Sequence, residues 1–182
     1  MARIAYPEPT KLSEETRDRL KRLGSLNVTR MMAHSEALML AYSRLGTHLL
    51  LRGQLDPVLR ELVILRVGQL CESTYEWHQH VSVARAVGAS DAQLQALEQG
   101  RLGELSAREQ LALQVAAEIK QQGAASAATF RAAQAQFSPA ELAELCLVVG
   151  YYIMTAGFLK SFDIEIEDTP PLGFSMPPRR GP

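Results

Sequence analysis

Cysteine is scarce in this chain: Cys71 and Cys146 are the only two among 182 residues. That is too few for a disulfide scaffold, and a reduced cytoplasmic setting is the expectation. An excess of charge of either sign is missing as well. Nineteen basic residues stand against twenty acidic ones, a net charge of -1. Such a balance gives no electrostatic footprint for nucleic acid, and no basic block suggests a membrane surface. The longest uncharged stretch, Leu145 to Leu159, is shorter than the roughly 20 apolar residues a bilayer span needs. Met1 to Lys11 holds prolines and charges, where an export signal would have an apolar core. Strand signals are almost absent, so no glycine-rich phosphate loop follows a strand, and no nucleophile-elbow pattern appears.

What is present is helix punctuation. With 47% hydrophobic and 21% charged residues, the composition is that of a globular chain, long enough to bury a sizeable core. Ser90-Asp91-Ala92-Gln93, Ser106-Ala107-Arg108-Glu109 and Ser138-Pro139-Ala140-Glu141 are three capping boxes. Asp56-Pro57 offers a cap followed by a first-turn proline. Gly53, Gly88, Gly100 and Gly123 follow periodic apolar stretches and read as left-handed helix stops. These signals predict helices near 13–23, 30–52, 57–71, 74–87, 91–99, 107–122, 126–136 and 139–162. The expectation is one all-α bundle of about eight helices without significant sheet, spanning 13–168. An extended arm at 1–12 precedes it and a proline-rich tail at 169–182 follows.

The chemistry concentrates between Glu61 and His80. Glu76 and His80 are four residues apart and share a helix face, which continues through Val83, Ala84 and Val87. A carboxylate and an imidazole on a buried face can exchange a proton. Ser73, three residues before Glu76, caps this helix or joins the cluster. Glu61 lies on an apolar stripe with Val58, Ile64, Leu65 and Gly68, where an acid needs a cation or a function. Arg60 and Arg66 are the nearby cations. His78 and His80 point about 200° apart on a helix and make no metal pair, so no metal is expected. Cys71 is either a small core residue or a thiol activated by the next helix's N-terminus. Cys146 reads as core, and His78 as facing solvent.

The stretch Glu-Leu-Val-Ile-Leu-Arg-Val at 61–67, Tyr-Glu-Trp-His-Gln-His at 75–80 and Val-Gly-Ala-Ser at 87–90 resembles the carboxymuconolactone decarboxylase and alkylhydroperoxidase D superfamily. The resemblance runs over roughly 30–160, with 61–90 as its specific part. The peroxidase branch places a Cys-x-x-Cys pair between its glutamate and its histidine. When Glu61 and His80 are matched to those two residues, Ser73 and Glu76 occupy the cysteine positions, and Cys71 is out of register. Serine and glutamate cannot attack a peroxide or resolve a sulfenic acid. The decarboxylase branch lacks the pair and keeps a glutamate four residues before the histidine, as here.

The resemblance implies an all-helical homo-oligomer and cofactor-free acid–base chemistry on a small carboxylated or lactone substrate, of lyase or isomerase type. His80 is then the general acid/base, Glu76 its orienting partner or a second acid, and Glu61 a relay. Arg60 or Arg66 would hold a substrate carboxylate, with Ser73, Tyr75 and Trp77 at the cavity. No cofactor, nucleic acid or membrane is expected as a partner. One alternative is a peroxidase using Cys71 with an external thiol. Another is a helical interaction module without catalysis. The apolar helix at 139–162, or the one at 30–52, is expected to form the subunit contact.

Overall fold

The structure, a computed structural model, describes residues 2–168; the expected proline-rich tail lies outside the described residues. Nine α-helices follow in order among them: α1 (Glu14–Arg22), α2 (Asn27–Met32), α3 (Glu36–Leu51), α4 (Pro57–Leu70), α5 (Thr74–Val87), α6 (Asp91–Glu98), α7 (Ala107–Gln122), α8 (Ala127–Gln134) and α9 (Pro139–Phe162). No strand occurs among the described residues.

Local chemistry sets most of these boundaries. Ser90, Ser106 and Ser138 each close a full capping box with the residue three on. Asp56 accepts from the Leu59 amide ahead of Pro57. Gly88 and Gly123 end α5 and α7 in the left-handed region, at φ 106° and 84°. Two expectations are corrected. The helix expected over 30–52 is broken at Ala33–Ser35, and its two parts are α2 and α3. Ser35 has extended backbone there, with its carbonyl accepting from the Met39 amide. Across the break, Glu36 accepts from the amide and hydroxyl of Ser13, tying the start of α3 to the start of α1. Gly53 takes no left-handed conformation; it lies where the Glu144 carboxylate approaches closely.

Helix α4 is the central element, with Leu59 to Leu65, Val67 and Gly68 all buried. Residues 71–73 reverse the chain: Glu72 takes φ 53°, and the Ser73 amide donates to the Gly68 carbonyl at 2.8 Å. This tight return lays α5 along α4. Helix α9 is long and apolar enough, by length and composition, to cross a membrane, but half of the qualifying window is buried within the domain. It packs on α4, α7, α3 and α8. Buried residues form two clusters. The larger is built on α4, α7 and α9; the smaller gathers Leu20, Met31, Met39, Tyr75 and Leu159 near the N-terminal helices. Between the clusters lies a cavity.

Candidate functional site

The cavity, of about 110 Å³, is lined by residues of α2, α3, α5 and α9 together with Leu23 and Leu26. Its floor holds Glu76, Gln79 and His80 from α5, Tyr42 from α3, and Tyr151, Tyr152 and Thr155 from α9. The close approach of α3 to α9 is possible because residue 46 is glycine. A Cβ at Gly46 would stand 2.3 Å from the Tyr151 hydroxyl, whose ring stacks on Tyr42 with centroids 4.5 Å apart.

His80 is held from behind. Its Nδ1 lies 2.8 Å from Oε2 of Glu61, which is fully buried. A carboxylate only accepts, so Nδ1 donates to it, and in the neutral imidazole the lone pair is on Nε2, on a ring that lines the cavity. The other oxygen of Glu61 accepts from Nε and Nη2 of Arg60, each at 3.0 Å. Tyr152 meets the imidazole edge-on, with centroids 4.9 Å apart. An arginine, a carboxylate and a histidine thus form a chain that ends at the cavity.

Glu76 is the opposite case. It is buried, at 2% exposure, and neither carboxylate oxygen has a hydrogen-bond partner. Burial pushes its pKa up to about 8, so at neutral pH it is a carboxylic acid. Burial likewise pushes the Tyr42 phenol up to about 12 and raises those of Tyr75, Tyr151 and Tyr152. The tyrosines remain phenols at neutral pH.

The structure brings Glu61, Glu76 and His80 together, but Glu61 rather than Glu76 orients the histidine. Arg60 is consumed by Glu61, and neither it nor Arg66 lines the cavity. Arg66 instead donates to Gln69 at 3.3 Å. The arginine that would meet a substrate carboxylate is therefore absent from the cavity wall. Ser73 caps α5, accepting from the Glu76 amide. Tyr75 lines the cavity, whereas Trp77 packs against the larger core. Cys71 ends α4, lies outside the cavity lining, and has its thiol pKa raised by burial. That is the reverse of a reactive thiol.

Cys146 is half-buried and borders a separate groove with Phe130 and Phe137, so it is not the core residue expected. His78 is also only half-exposed. Among the described residues no group of three His, Cys, Asp or Glu is placed to hold a metal. Sequence reading missed Tyr42, Gln79, Tyr151, Tyr152 and Thr155. A signal existed for the tyrosines: a hydroxyl inside an apolar helix needs a partner.

Fold and site define an all-helical protein with a buried Glu–His pair at a small internal cavity. Residues 36–118 match the Carboxymuconolactone decarboxylase family. A solved structure from Ralstonia eutropha JMP134, described as an alkylhydroperoxidase AhpD core and an uncharacterized peroxidase-related protein, is similar at TM-score 0.82. It is 16% identical, over 92% of this chain and 93% of that one. An uncharacterized peroxidase-related protein from Silicibacter sp. TM1040 is similar at TM-score 0.74 and 19% identity, over 91% of this chain and 88% of that one. At these identities the likeness is one of fold. No curated protein matches the chain.

Proposed function

We propose that this protein is a cofactor-free acid–base enzyme of the lyase or isomerase class, moving a proton at the carbon beside a carbonyl group of a small organic substrate. The observation that carries the reading is the pairing of His80 Nδ1 with buried Glu61 at 2.8 Å, beside the unpartnered acid Glu76. In this mechanism His80 Nε2 takes the C–H proton, and Glu61 stabilises the imidazolium that forms. The protonated Glu76 donates to the carbonyl oxygen as charge develops on it. A carboxylic acid kept neutral by an apolar site is suited to that role. Return of the proton from His80 to the same carbon, or to a conjugated one, restores the enzyme with no net oxidation.

The test is deuterium incorporation from D2O into a panel of small cyclic ketones and lactones, followed by NMR. Incorporation by the unaltered protein should fall by about 100-fold or more in His80→Ala, as expected for loss of a general base. Equal incorporation by both proteins, or none by either, would overturn the reading. A peroxidase reading has the names of the two similar structures behind it, but it needs a thiol at the cavity, and Cys71 is not among the lining residues.

Assembly into a homo-oligomer belongs to the same proposal, as does a cytoplasmic setting for the two free thiols. Support for assembly comes from apolar side chains left exposed: Leu147 and Met154 on α9, and Leu38 and Leu45 on α3. Such faces favour association. Light scattering should report a multiple of 20.0 kDa; a monomer at micromolar concentration would count against it.

A further inference from the structure

We propose that the cavity beside His80 selects an uncharged, single-ring molecule bearing a carbonyl-type acceptor, with Glu76 as the group that donates to the acceptor and with carboxylates rejected because the wall holds no cation. This rests on the acid–base reading above and narrows its substrate.

Charge is the first ground. No lysine or arginine is among the residues lining the cavity. Arg60 is bound to Glu61, and Arg19 donates to Ser43 and Thr47, on the wall, without lining the cavity itself. At the exposed end the lining is apolar: Leu23, Leu26 and Leu50 are half-buried and Leu51 is exposed. An anion entering past these leucines would lose its water and gain no cation.

Hydrogen-bonding capacity is the second ground. Most polar groups on the wall are already engaged. The Tyr42 hydroxyl pairs with Thr155 at 2.8 Å, and that of Tyr151 donates to the Tyr42 carbonyl at 3.2 Å. Tyr75 and the Gln79 amide both donate to Glu167. Thr29, Ser43 and Thr47 donate to backbone carbonyls. Glu76 is the buried exception, with one donor and one acceptor and no partner for either. Beside it, His80 Nε2 is likewise unengaged. The groups left for a ligand are therefore the Glu76 acid, the His80 imidazole and the Tyr152 hydroxyl, and an acid O–H calls for an acceptor such as a carbonyl oxygen.

Size is the third ground. The volume of about 110 Å³ is slightly below the engineered apolar cavity of about 150 Å³ that takes up benzene. One six-membered ring is the scale that fits.

NMR titration of the full chain at neutral pH with cyclohexanone and with cyclohexanecarboxylate tests this on a ring of one size. The ketone should give saturable shifts at Gly46 and the Gln79 side chain, and the carboxylate should bind about tenfold more weakly or worse, because it loses its water and gains no cation. In Glu76→Gln the amide still donates and the wall still holds no cation, so ketone binding and the discrimination should both persist. In Glu76→Leu ketone binding should weaken by about tenfold, the loss of one buried hydrogen bond. Carboxylate binding as tight as ketone binding, no saturable binding of the ketone, or ketone binding indifferent to Glu76→Leu would each overturn the proposal. Ketone binding without deuterium incorporation would instead overturn the proton-transfer reading and leave the selectivity standing.

Discussion

Glu61 and Glu76 are both buried on the packed face between α4 and α5, and they have opposite environments. Glu61 accepts three hydrogen bonds, two from Arg60 and one from His80. Glu76 accepts none. One carboxyl group is buried as part of a charged network, the other as a neutral acid. The difference shows how a single helical hairpin can hold a base and an acid side by side at one pH. Partners keep one group in its hydrogen-bonded arrangement, and desolvation alone sets the state of the other.

The comparison is broken most severely by removing Glu61. In Glu61→Ala the Arg60 guanidinium, only 4% exposed, is left buried without a counter-charge. Stability should fall by about 3–5 kcal/mol, the usual cost of orphaning one member of a buried pair. Urea denaturation measures it, and a loss below about 1 kcal/mol would mean that Arg60 finds water instead.

Replacing the ionisable group at Glu76 should act in the other direction. Its folded pKa of about 8 lies above the unfolded carboxylate value, so the folded state holds the proton more tightly. Stability is then fully present below the unfolded value of roughly 4.3 and is lost as pH rises through the folded one. Glu76→Gln should lack this loss. It should be more stable than the unaltered protein by about 1–3 kcal/mol near pH 8, with little gain near pH 4. Thermal melts across that range check it; parallel curves for the two proteins would show that Glu76 is not neutral at pH 7.

The smallest effect sharpens the contrast from the surface. Glu118 is half-exposed and accepts from the Ser126 amide, Thr129 and Gln114. These bonds, led by that from Thr129, hold its pKa down at about 2. Its contribution is present above the unfolded value and fades as pH falls towards the folded one, the reverse of Glu76. Glu118→Gln should flatten the acid limb of the stability curve slightly and leave the limb between pH 5 and 8 unchanged.

Legibility in the sequence followed distance along the chain. The caps at Ser90, Ser106 and Ser138 were readable because donor and acceptor lie within one turn. The break before α3 was not, since Ala33, His34 and Ser35 include no glycine or proline and Ser35 makes no side-chain cap. Within the site, the i, i+4 rule brought Glu76 and His80 to one face correctly. It also suggested that they pair, and they do not. The true partner of His80 is 19 residues away, across the 71–73 turn. Only the packing of α5 on α4 decides that contact. For the same reason the arginines were misassigned: spacing places Arg60 near the site, but the rotation of α4 determines whether it meets substrate or Glu61.

The clasp formed by the residues after α9 has a consequence for how the molecule breathes. Glu167 accepts from the Tyr75 hydroxyl, the Gln79 amide and the Asn27 backbone amide, each at 2.5 Å. Glu165 meanwhile accepts from the Ala2 amide and the Tyr6 hydroxyl. The wall of an interior chamber is thereby stitched to the segment after α9, which in turn holds Ala2 and Tyr6. Release of Glu167 would free Tyr75 and Gln79 of that wall together, so the stiffness of the chamber is tied to a segment outside the helical core.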